Sequence, residues 1–278
     1  MSELSLFCLN STTNWSFKTR PRKVRIYFFD CEMNFMQYGT FADFYDLLMD
    51  DIPYEDWRDY MEEIFKLNNL KPKSILDLAC GTGNMTKLFH EKNYDVLGVD
   101  LSTEMLTVAK NKLPSVLFVN QNMLDLNLSE NVDCCISLCD SMNYIHDLDD
   151  LIKIFEKINH HLNKDGLFIF DLNTAHKFEN VLDGYSFSKI YDDIVCAWET
   201  VYDKDIKILE YYTNLFIKND SDLFERIEEF HYEKAYAIDE IIYAIEKSGL
   251  KFLNVYDELT FDEPKSDSER IFFVSCRI

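Results

Sequence analysis

The stretch SILDLACGTGNMT, from Ser74 to Thr86, decides the fold. Its first residues are mostly apolar, which is typical of a strand buried on both faces of a parallel sheet. Gly81 and Gly83 then permit a tight turn, and a helical pattern follows from Asn84. This stretch therefore predicts a strand, a glycine turn and a helix.

The same alternation continues along the chain. Further strands are predicted at YDVLGVD (94–100), SVLFVN (115–120), VDCCISL (132–138) and GLFIFDL (166–172), with helices at 102–113 and 147–162. Strands that alternate with helices and are apolar on both faces indicate a parallel sheet covered on both sides. We therefore predict an α/β fold with a doubly wound, mostly parallel, seven-stranded sheet.

The alternation stops between residues 185 and 235. Aromatic and β-branched residues alternate there, and the turn-like runs Asp203 to Asp205 and Asn219 to Ser221 divide them. We predict a three- or four-stranded antiparallel insertion, followed by a helix (238–248) and two closing strands (251–256 and 271–276). The predicted core is 33–184 together with 236–278, and it begins with two amino-terminal helices.

Residues 1–32 differ from the rest of the chain, because they carry a net positive charge in a strongly acidic protein. One interpretation is a disordered extension that precedes a working start at Met33. The alternative is an ordinary tail or an added strand.

Charge and cysteine content exclude several classes of protein. The chain has 28 Lys and Arg against 50 Asp and Glu, and this net charge of −22 repels nucleic acids and anionic membranes. The eight cysteines lack metal-ligand spacing, and Cys134 and Cys135 should point to opposite faces of a strand, so we predict buried thiols and no metal. No apolar run or signal peptide indicates a membrane. We expect a soluble, cytoplasmic protein.

Asp100 ends the second strand, at the edge where open α/β sheets bind their ligands. A carboxylate there can accept both hydroxyl protons of a ribose, so the turn and Asp100 together indicate an adenosine cofactor. A dinucleotide fold would have a third glycine or alanine at the position of Thr86, which disfavours NAD.

Asp77, Ala79, Gly81 and Gly83 resemble motif I of the class I S-adenosylmethionine-dependent methyltransferases, with Ala79 in place of a glycine. VLGVDLSTEML, NQNMLDL and ISLCDSMNYI resemble the later motifs. YGTFADFYDLLMDDIPYEDW looks like the amino-terminal helices of a bacterial subgroup with a β insertion after the fifth strand, similar in layout to glycine and amino-sugar N-methyltransferases.

The resemblance implies a Rossmann-like fold and a set of cofactor-binding residues. It places Asp77, Gly81 and Gly83 beside the methionine portion of S-adenosylmethionine, Asp100 on the ribose, Leu101 and Met105 against the adenine, and Asn122 and Met123 at its edge, with Cys139 also in the set. Tyr38, Tyr45 and Trp57 are candidates to close over the methionine end. The aromatic residues could instead form the apolar face of two packed helices, and the methionines could fill the core.

On the acceptor side, Asp140 and Tyr144 are the predicted catalytic residues. Asp140 could bind an ammonium, remove its proton through water, or cap the next helix. Asn143 and His146 follow in the same segment, although His146 is more typical of a surface or capping position. Asp171 and Asn173 could also line the pocket.

These residues predict methyl transfer from S-adenosylmethionine to a small-molecule acceptor, with an amine preferred and S-adenosylhomocysteine as the product. The alternatives are a tRNA-modifying methyltransferase and a non-catalytic S-adenosylmethionine-binding protein. A membrane partner is not expected, and a nucleic-acid partner is disfavoured by charge. The oligomeric state and the acceptor are not encoded in a recognisable motif.

Overall fold

The computed structural model describes residues 40–278. Tyr38 and the proposed extension 1–32 lie outside the described residues. The elements up to residue 173 are α1 (Tyr45–Leu48), α2 (Tyr54–Leu67), β1 (Ser74–Leu78), α3 (Asn84–Glu91), β2 (Asp95–Asp100), α4 (Thr103–Lys112), β3 (Leu117–Asn120), β4 (Val132–Ser137), α5 (Leu148–His161) and β5 (Leu162–Asn173). They are followed by β6 (Ser186–Ile190), β7 (Ile194–Asp203), β8 (Ile208–Lys218), β9 (Phe224–Lys234), α6 (Ile238–Lys247), β10 (Leu250–Asp257) and β11 (Arg270–Arg277).

Seven strands form the first sheet, in the order β10-β11-β5-β4-β1-β2-β3. β1 pairs in parallel with both β2 and β4, and only β11 runs antiparallel to its neighbours β5 and β10. This order brings the carboxyl ends of β1, β2, β4 and β5 to one edge. The prediction of a doubly wound, mostly parallel, seven-stranded sheet is confirmed.

Apolar clusters cover the two faces of this sheet. On one face, α2 packs through Trp57, Met61 and Ile64, which recur at helical spacing and are almost fully buried. On the other face, α5 and α6 pack against Phe168 and Phe170 of β5. Burying side chains of this size stabilises the fold by about 1.5 to 3 kcal/mol each. Cys134 lies in the first cluster and Cys135 in the second, so the two thiols face opposite sides of the sheet as predicted.

The insertion forms a separate four-stranded antiparallel sheet in the order β6-β7-β8-β9, and this second sheet confirms the predicted antiparallel insertion. Its buried face is apolar at one end, where Trp198 and Leu215 pack with Phe41 and Leu48 of the amino-terminal helical segment. The other end packs against Phe178. Polar side chains lie between these two apolar ends, at Thr213, Glu229, His231 and Glu233.

Candidate active site

The turn after β1 has an unusual backbone. Ala79, Gly81 and Gly83 all have positive φ values, of 61°, 53° and 79°, which L side chains rarely adopt. A Cβ on Gly83 would also lie 3.3 Å from the Cβ of Ala109 and from the ring of Phe118. Glycine at position 83 is therefore needed for conformation and for close packing, and α3 begins directly after it.

Asp100 lies at the carboxyl end of β2, beside this turn. Its Oδ2 accepts the backbone N–H of Gly81 at 2.8 Å, and its Oδ1 accepts the N–H of Ser102 at 2.8 Å. Burial raises the pKa of Asp100, whereas these backbone hydrogen bonds act in the opposite direction. Each carboxylate oxygen retains a further lone pair, so the side chain is fixed in place and can still accept from a ligand.

Asp77, in β1, is 2% exposed and accepts a hydrogen bond from the hydroxyl of Thr86. Burial, followed by the nearby charge of Asp100, raises the pKa of Asp77 to about 6 although the Thr86 bond opposes this change. Thr86 therefore has a clear role in this fold, because it holds the motif I carboxylate by a side-chain hydrogen bond.

Four polar side chains connect α1 to the glycine turn, and we call them the turn clamp: Asp46, Thr82, Asn84 and Lys112. Asp46 Oδ1 accepts from Thr82 Oγ1 at 2.6 Å and from Asn84 Nδ2 at 2.9 Å. Lys112 Nζ lies 2.6 Å from Asp46 Oδ2 and donates to Asn84 Oδ1 at 2.6 Å. Burial raises the pKa of Asp46, but the hydrogen bonds of the clamp and the charge of Lys112 outweigh it and leave that pKa lowered.

The residues predicted to contact adenine occupy different environments. Leu101 is exposed, at 66%, on the surface after β2. Met105 is buried in the apolar cluster that joins α4 to the second sheet. Asn122 caps the short 3-10 helix Met123–Asp125 by accepting the Leu124 N–H at 2.9 Å, and Met123 is half-buried. The roles of these residues toward adenine stay predictions. Met105 lies in the core, as the alternative interpretation of the methionines expected.

The aromatic residues of the amino-terminal helices pack within the fold. Trp57 is 3% exposed, packs edge-on against Phe272 and lies under the guanidinium of Arg270, 5.1 Å from its ring centroid. Within residues 40–278 its indole Nε1 has no hydrogen-bond partner. Tyr45 packs partly buried against the second sheet. A contact of Trp57 with a cofactor stays a prediction.

The segment after β4 brings the predicted catalytic residues to the same edge of the sheet. Cys139 and Asp140 are two consecutive residues with positive φ, at 58° and 54°. The Asp140 N–H donates to Asp171 Oδ2 at 3.0 Å, and Arg270 Nη2 donates to Asp140 Oδ1 at 2.9 Å. Arg270 also pairs with Asp171. Asp140 precedes the 3-10 helix Ser141–Tyr144 but makes no side-chain capping bond, so its carboxylate is committed to the Arg270 pair instead.

Tyr144 and His146 face the second sheet. The ring of Tyr144 lies edge-on to that of His231, with 6.2 Å between centroids, and Nε2 of His146 lies 2.9 Å from the carbonyl oxygen of Tyr232. Burial lowers the pKa of His146. His146 therefore connects the segment after β4 to β9 of the second sheet.

The second sheet contributes a buried carboxyl to the same region. Glu233, in β9, is 2% exposed and accepts from Asn173 Nδ2 at 3.1 Å. Asn143 Oδ1 accepts the N–H of Asn173 at 3.0 Å, and Asn143 Nδ2 donates to the carbonyl of Lys234 at 2.8 Å. Two asparagines thus connect the first sheet to β9.

The sequence did not predict Arg270, Glu233 or the turn clamp. Arg270 begins β11 opposite Asn173 of β5, and that register brings it beside Asp171. Of these residues, only Lys112 follows a sequence preference, because lysine is generally favoured in the last turn of a helix such as α4. Glu233 carries none, since it is one of several glutamates in its strand.

Comparison with known proteins assigns the family. Residues 75–166 match a methyltransferase domain family. The crystal structure of a S-adenosylmethionine-dependent methyltransferase from Clostridium acetobutylicum ATCC 824 is 33% identical, with a TM-score of 0.77, and the match covers 86% of this chain and 98% of that chain. YqeM of Bacillus subtilis (strain 168), which carries the name of a methyltransferase, is 31% identical over 243 residues, covering 86% of this chain and 96% of YqeM.

A third relative matches a shorter stretch. The dTDP-3-amino-3,4,6-trideoxy-alpha-D-glucopyranose N,N-dimethyltransferase of Streptomyces venezuelae is 28% identical over 136 residues, which cover 47% of this chain and 56% of that protein.

The chain belongs to the class I S-adenosylmethionine-dependent methyltransferases. Within this family it aligns with YqeM and the Clostridium enzyme over nearly their full length.

The residues at the sheet edge fit S-adenosylmethionine, the methyl donor of this family. A Cβ on Gly81 would meet nothing within 4 Å among the described atoms, so the turn borders open space, and Asp100 still has acceptor capacity toward it. The glycine turn, Asp77 and Asp100 would hold the donor. When bound, it supplies a methyl group on a positively charged sulfur.

Residues 40–278 contain no cluster of three or more His, Cys, Asp or Glu side chains suited to a metal ion. No helix among these residues is long and apolar enough to cross a membrane.

Proposed function

We propose that this enzyme methylates the nitrogen of a small-molecule amine. The observation that carries the proposal is a group of three carboxyls near the carboxyl ends of β4 and β5. Asp171 and Glu233 are buried, the side chain of Asp140 is 18% exposed, and Arg270 forms ion pairs with Asp140 and Asp171. Buried carboxylates in excess over cations favour a cationic ligand. The amino-sugar dimethyltransferase from Streptomyces venezuelae, by its name, also acts on nitrogen.

The chemistry requires alignment and a free lone pair. The amine nitrogen must be neutral when its lone pair forms the bond to the methyl carbon, and the electron pair of the breaking C–S bond stays on sulfur. Most of the rate acceleration in such a displacement comes from positioning the reactants and excluding water. We propose that Asp140 and Tyr144 orient the acceptor and that the second sheet shields it from solvent.

Donor binding is the first test. Calorimetry should show binding of S-adenosylmethionine and S-adenosylhomocysteine, and Asp100→Ala should weaken it by about 1 to 3 kcal/mol through loss of charged hydrogen bonds. Asp95→Ala, at the exposed start of the same strand, is the matched control and should bind normally. Equal affinity of the Asp100 variant and the wild type would remove Asp100 from the donor site.

Acceptor class is the second test. Methyl transfer should be measured by mass spectrometry on a panel of primary and secondary amines, each paired with the alcohol of the same carbon skeleton. We expect N-methylated products and little O-methylation. A protein that methylates only the alcohols would contradict the amine proposal while leaving donor binding intact.

A further inference from the structure

A histidine and a glutamate lie side by side on the buried face of the second sheet. Nε2 of His231 lies 3.3 Å from Oε2 of Glu229, and the two side chains are only 7% and 9% exposed. The residues are two positions apart in β9, so they project from the same face of the strand. We call Glu229 and His231 the β9 dyad.

The packing of the sheet does not require polar residues at these two positions. The same face is apolar on either side of the β9 dyad, with Trp198 and Leu215 at one end and Leu209 at the other. Within residues 40–278, Oε2 of Glu229 accepts no hydrogen bond, and the ion pair that Glu229 forms there is with His231. Burying a carboxylate with so little compensation is costly, and departures of this kind are typical of functional sites.

The ring of His231 lies between residues predicted to contact the two substrates. It is edge-on to the ring of Tyr144, the predicted acceptor-side residue, with 6.2 Å between centroids. It also packs against Phe41, at 6.2 Å, and Phe41 lies edge-on to Tyr45 at 6.0 Å. Tyr45 is a candidate to close over the methionine end of the donor. His231 is therefore one ring away from the donor side and in contact with the acceptor side.

Backbone contacts of β9 hold His231 in this place. Nε2 of His146 lies 2.9 Å from the carbonyl oxygen of Tyr232, and Asn143 Nδ2 donates to the carbonyl of Lys234 at 2.8 Å. His146 and Asn143 both belong to the segment that follows β4. The strand that carries the β9 dyad is thus fixed against the same segment that carries Asp140.

We propose that His231 is a catalytic base that removes one proton from the ammonium form of the acceptor, and that Glu229 is the positioning residue that orients His231. This inference rests on the proposed amine methylation. It narrows the acceptor to an alkyl amine that is charged at neutral pH, because such a nitrogen must lose a proton before it can react. A carboxylate beside a histidine base orients the ring and offsets the charge that the ring carries after it has taken the proton.

The proton balance of this step is complete. Because Nε2 of His231 is directed at Glu229, the opposite ring nitrogen, Nδ1, takes the proton from the ammonium, which leaves a neutral amine with a lone pair. The amine nitrogen forms its bond to the methyl carbon, the C–S electron pair stays on sulfur, and the product nitrogen carries the positive charge. The imidazolium of His231 then releases its proton to solvent.

Titratable groups surround His231 on several elements. They are Glu229 and Glu233 on β9, Tyr211 at the opposite position of β8, Cys196 of β7 in the cluster that contains Phe41, Tyr144 after β4 and Tyr45 of α1. Of these groups, Glu229 is the one at ion-pair distance from His231. The pH dependence expected below therefore concerns the β9 dyad first.

The test compares two probe amines, cyclohexylamine and aniline, which each carry one nitrogen on a six-membered ring. Cyclohexylamine is an ammonium ion at neutral pH, whereas aniline is neutral and needs no base before it reacts. We expect His231→Gln to lower kcat/KM for methylation of cyclohexylamine about 100-fold and that for aniline by less than about 3-fold, measured by mass spectrometry.

The pH profile gives a second readout that a purely structural role of His231 would not change. Between about pH 7 and about pH 10 the solution itself supplies an increasing fraction of neutral cyclohexylamine. The defect of His231→Gln on this probe should therefore shrink as the pH rises. Glu229→Gln should show the same selective defect in a weaker form, about 10-fold at neutral pH.

Matched variants separate this role from a general loss of structure. His160→Gln makes the same replacement at an exposed position at the end of α5, and Glu225→Gln makes the same charge change at an exposed position of β9. Both should methylate the two probes at the wild-type rate. Unchanged affinity for S-adenosylhomocysteine verifies that each variant is folded.

The outcomes distinguish this inference from the proposed function. The inference is wrong if His231→Gln lowers both rates by the same factor, if it lowers neither, or if the wild type methylates aniline alone. Methylation of neither probe by the wild type also overturns it, whereas the wider panel of amines still decides the proposed function. If alcohols alone are methylated, the proposed function fails, and this inference fails with it.

Discussion

The buried carboxylate of Asp77 makes the free energy of unfolding depend on pH. Its pKa of about 6 in the folded protein is higher than that of an ordinary aspartate, because burial and the charge of Asp100 disfavour its ionised form. Between about pH 4 and pH 6 the folded state therefore binds more protons at this site than the unfolded state does. The contribution of Asp77 to the free energy of unfolding falls as pH rises through that window.

Asp77→Asn should therefore stabilise the ligand-free protein at high pH. The amide removes the buried charge and can still accept from Thr86, so the free energy of unfolding should exceed that of the wild type by up to about 3 kcal/mol at pH 8. At pH 4 this difference should vanish. Urea unfolding at the two pH values measures it, with Asp95→Asn as the exposed control. A difference that is the same at both pH values would contradict the assignment.

At this scale, local sequence predicts the geometry of the glycine turn better than that of the region around Asp140. Asp77, Gly81 and Asp100 are predictable because each ends a strand or forms a turn that its immediate neighbours define. Arg270 is 130 residues from Asp140, and only the antiparallel pairing of β11 with β5 brings the two together. No local pattern carries that information.

At the scale of elements, the turn clamp joins the short helix α1 to the glycine turn. Asp46 of α1 contacts Thr82 and Asn84 of the turn, and Lys112 of α4 contacts Asp46. A four-residue helix is not stable by itself, so these contacts and the apolar packing of Leu48 hold it in place.

Asp46→Ala should therefore weaken binding of S-adenosylhomocysteine, because it releases the turn from the helix that holds it. We expect a loss of about 3- to 30-fold, and a double-mutant cycle with Lys112→Met should give a coupling energy of about 1 kcal/mol. Calorimetry measures both quantities. Asp43→Ala removes an exposed acidic residue from the adjoining 3-10 helix and is the matched control. Strict additivity of the two substitutions would mean that the clamp does not act on the donor.

The two sheets differ in how far their elements could be predicted. In the first sheet, buried strands such as VDCCISL are mostly apolar, so strand and helix alternate clearly along the chain. In β9, acidic and aromatic residues occupy both faces, with Glu228 and Phe230 outside and Glu229 and His231 inside. The strand was therefore predictable, but the face that it buries was not.

At the scale of the whole molecule, net charge disfavours a nucleic-acid acceptor. The net charge of −22 opposes contact with a phosphate backbone over any broad surface. We expect unmodified tRNA to bind with a Kd weaker than about 10⁻⁴ M at physiological salt, as measured by filter binding. Saturable binding at lower concentrations, weakened by added salt, would favour the tRNA-modifying alternative.

The proposed function gives the two sheets separate tasks. The glycine turn and Asp100 lie at the edge of the first sheet. Glu229, His231 and Glu233 project from one face of β9, in the second sheet, at every second position. Three codons within fifteen nucleotides therefore encode these inward-facing side chains. Under the proposed function, random mutation of this short stretch of the gene would change which acceptor is methylated while the glycine turn and Asp100 keep their sequence, so β9 is the place to begin directed evolution of new substrates.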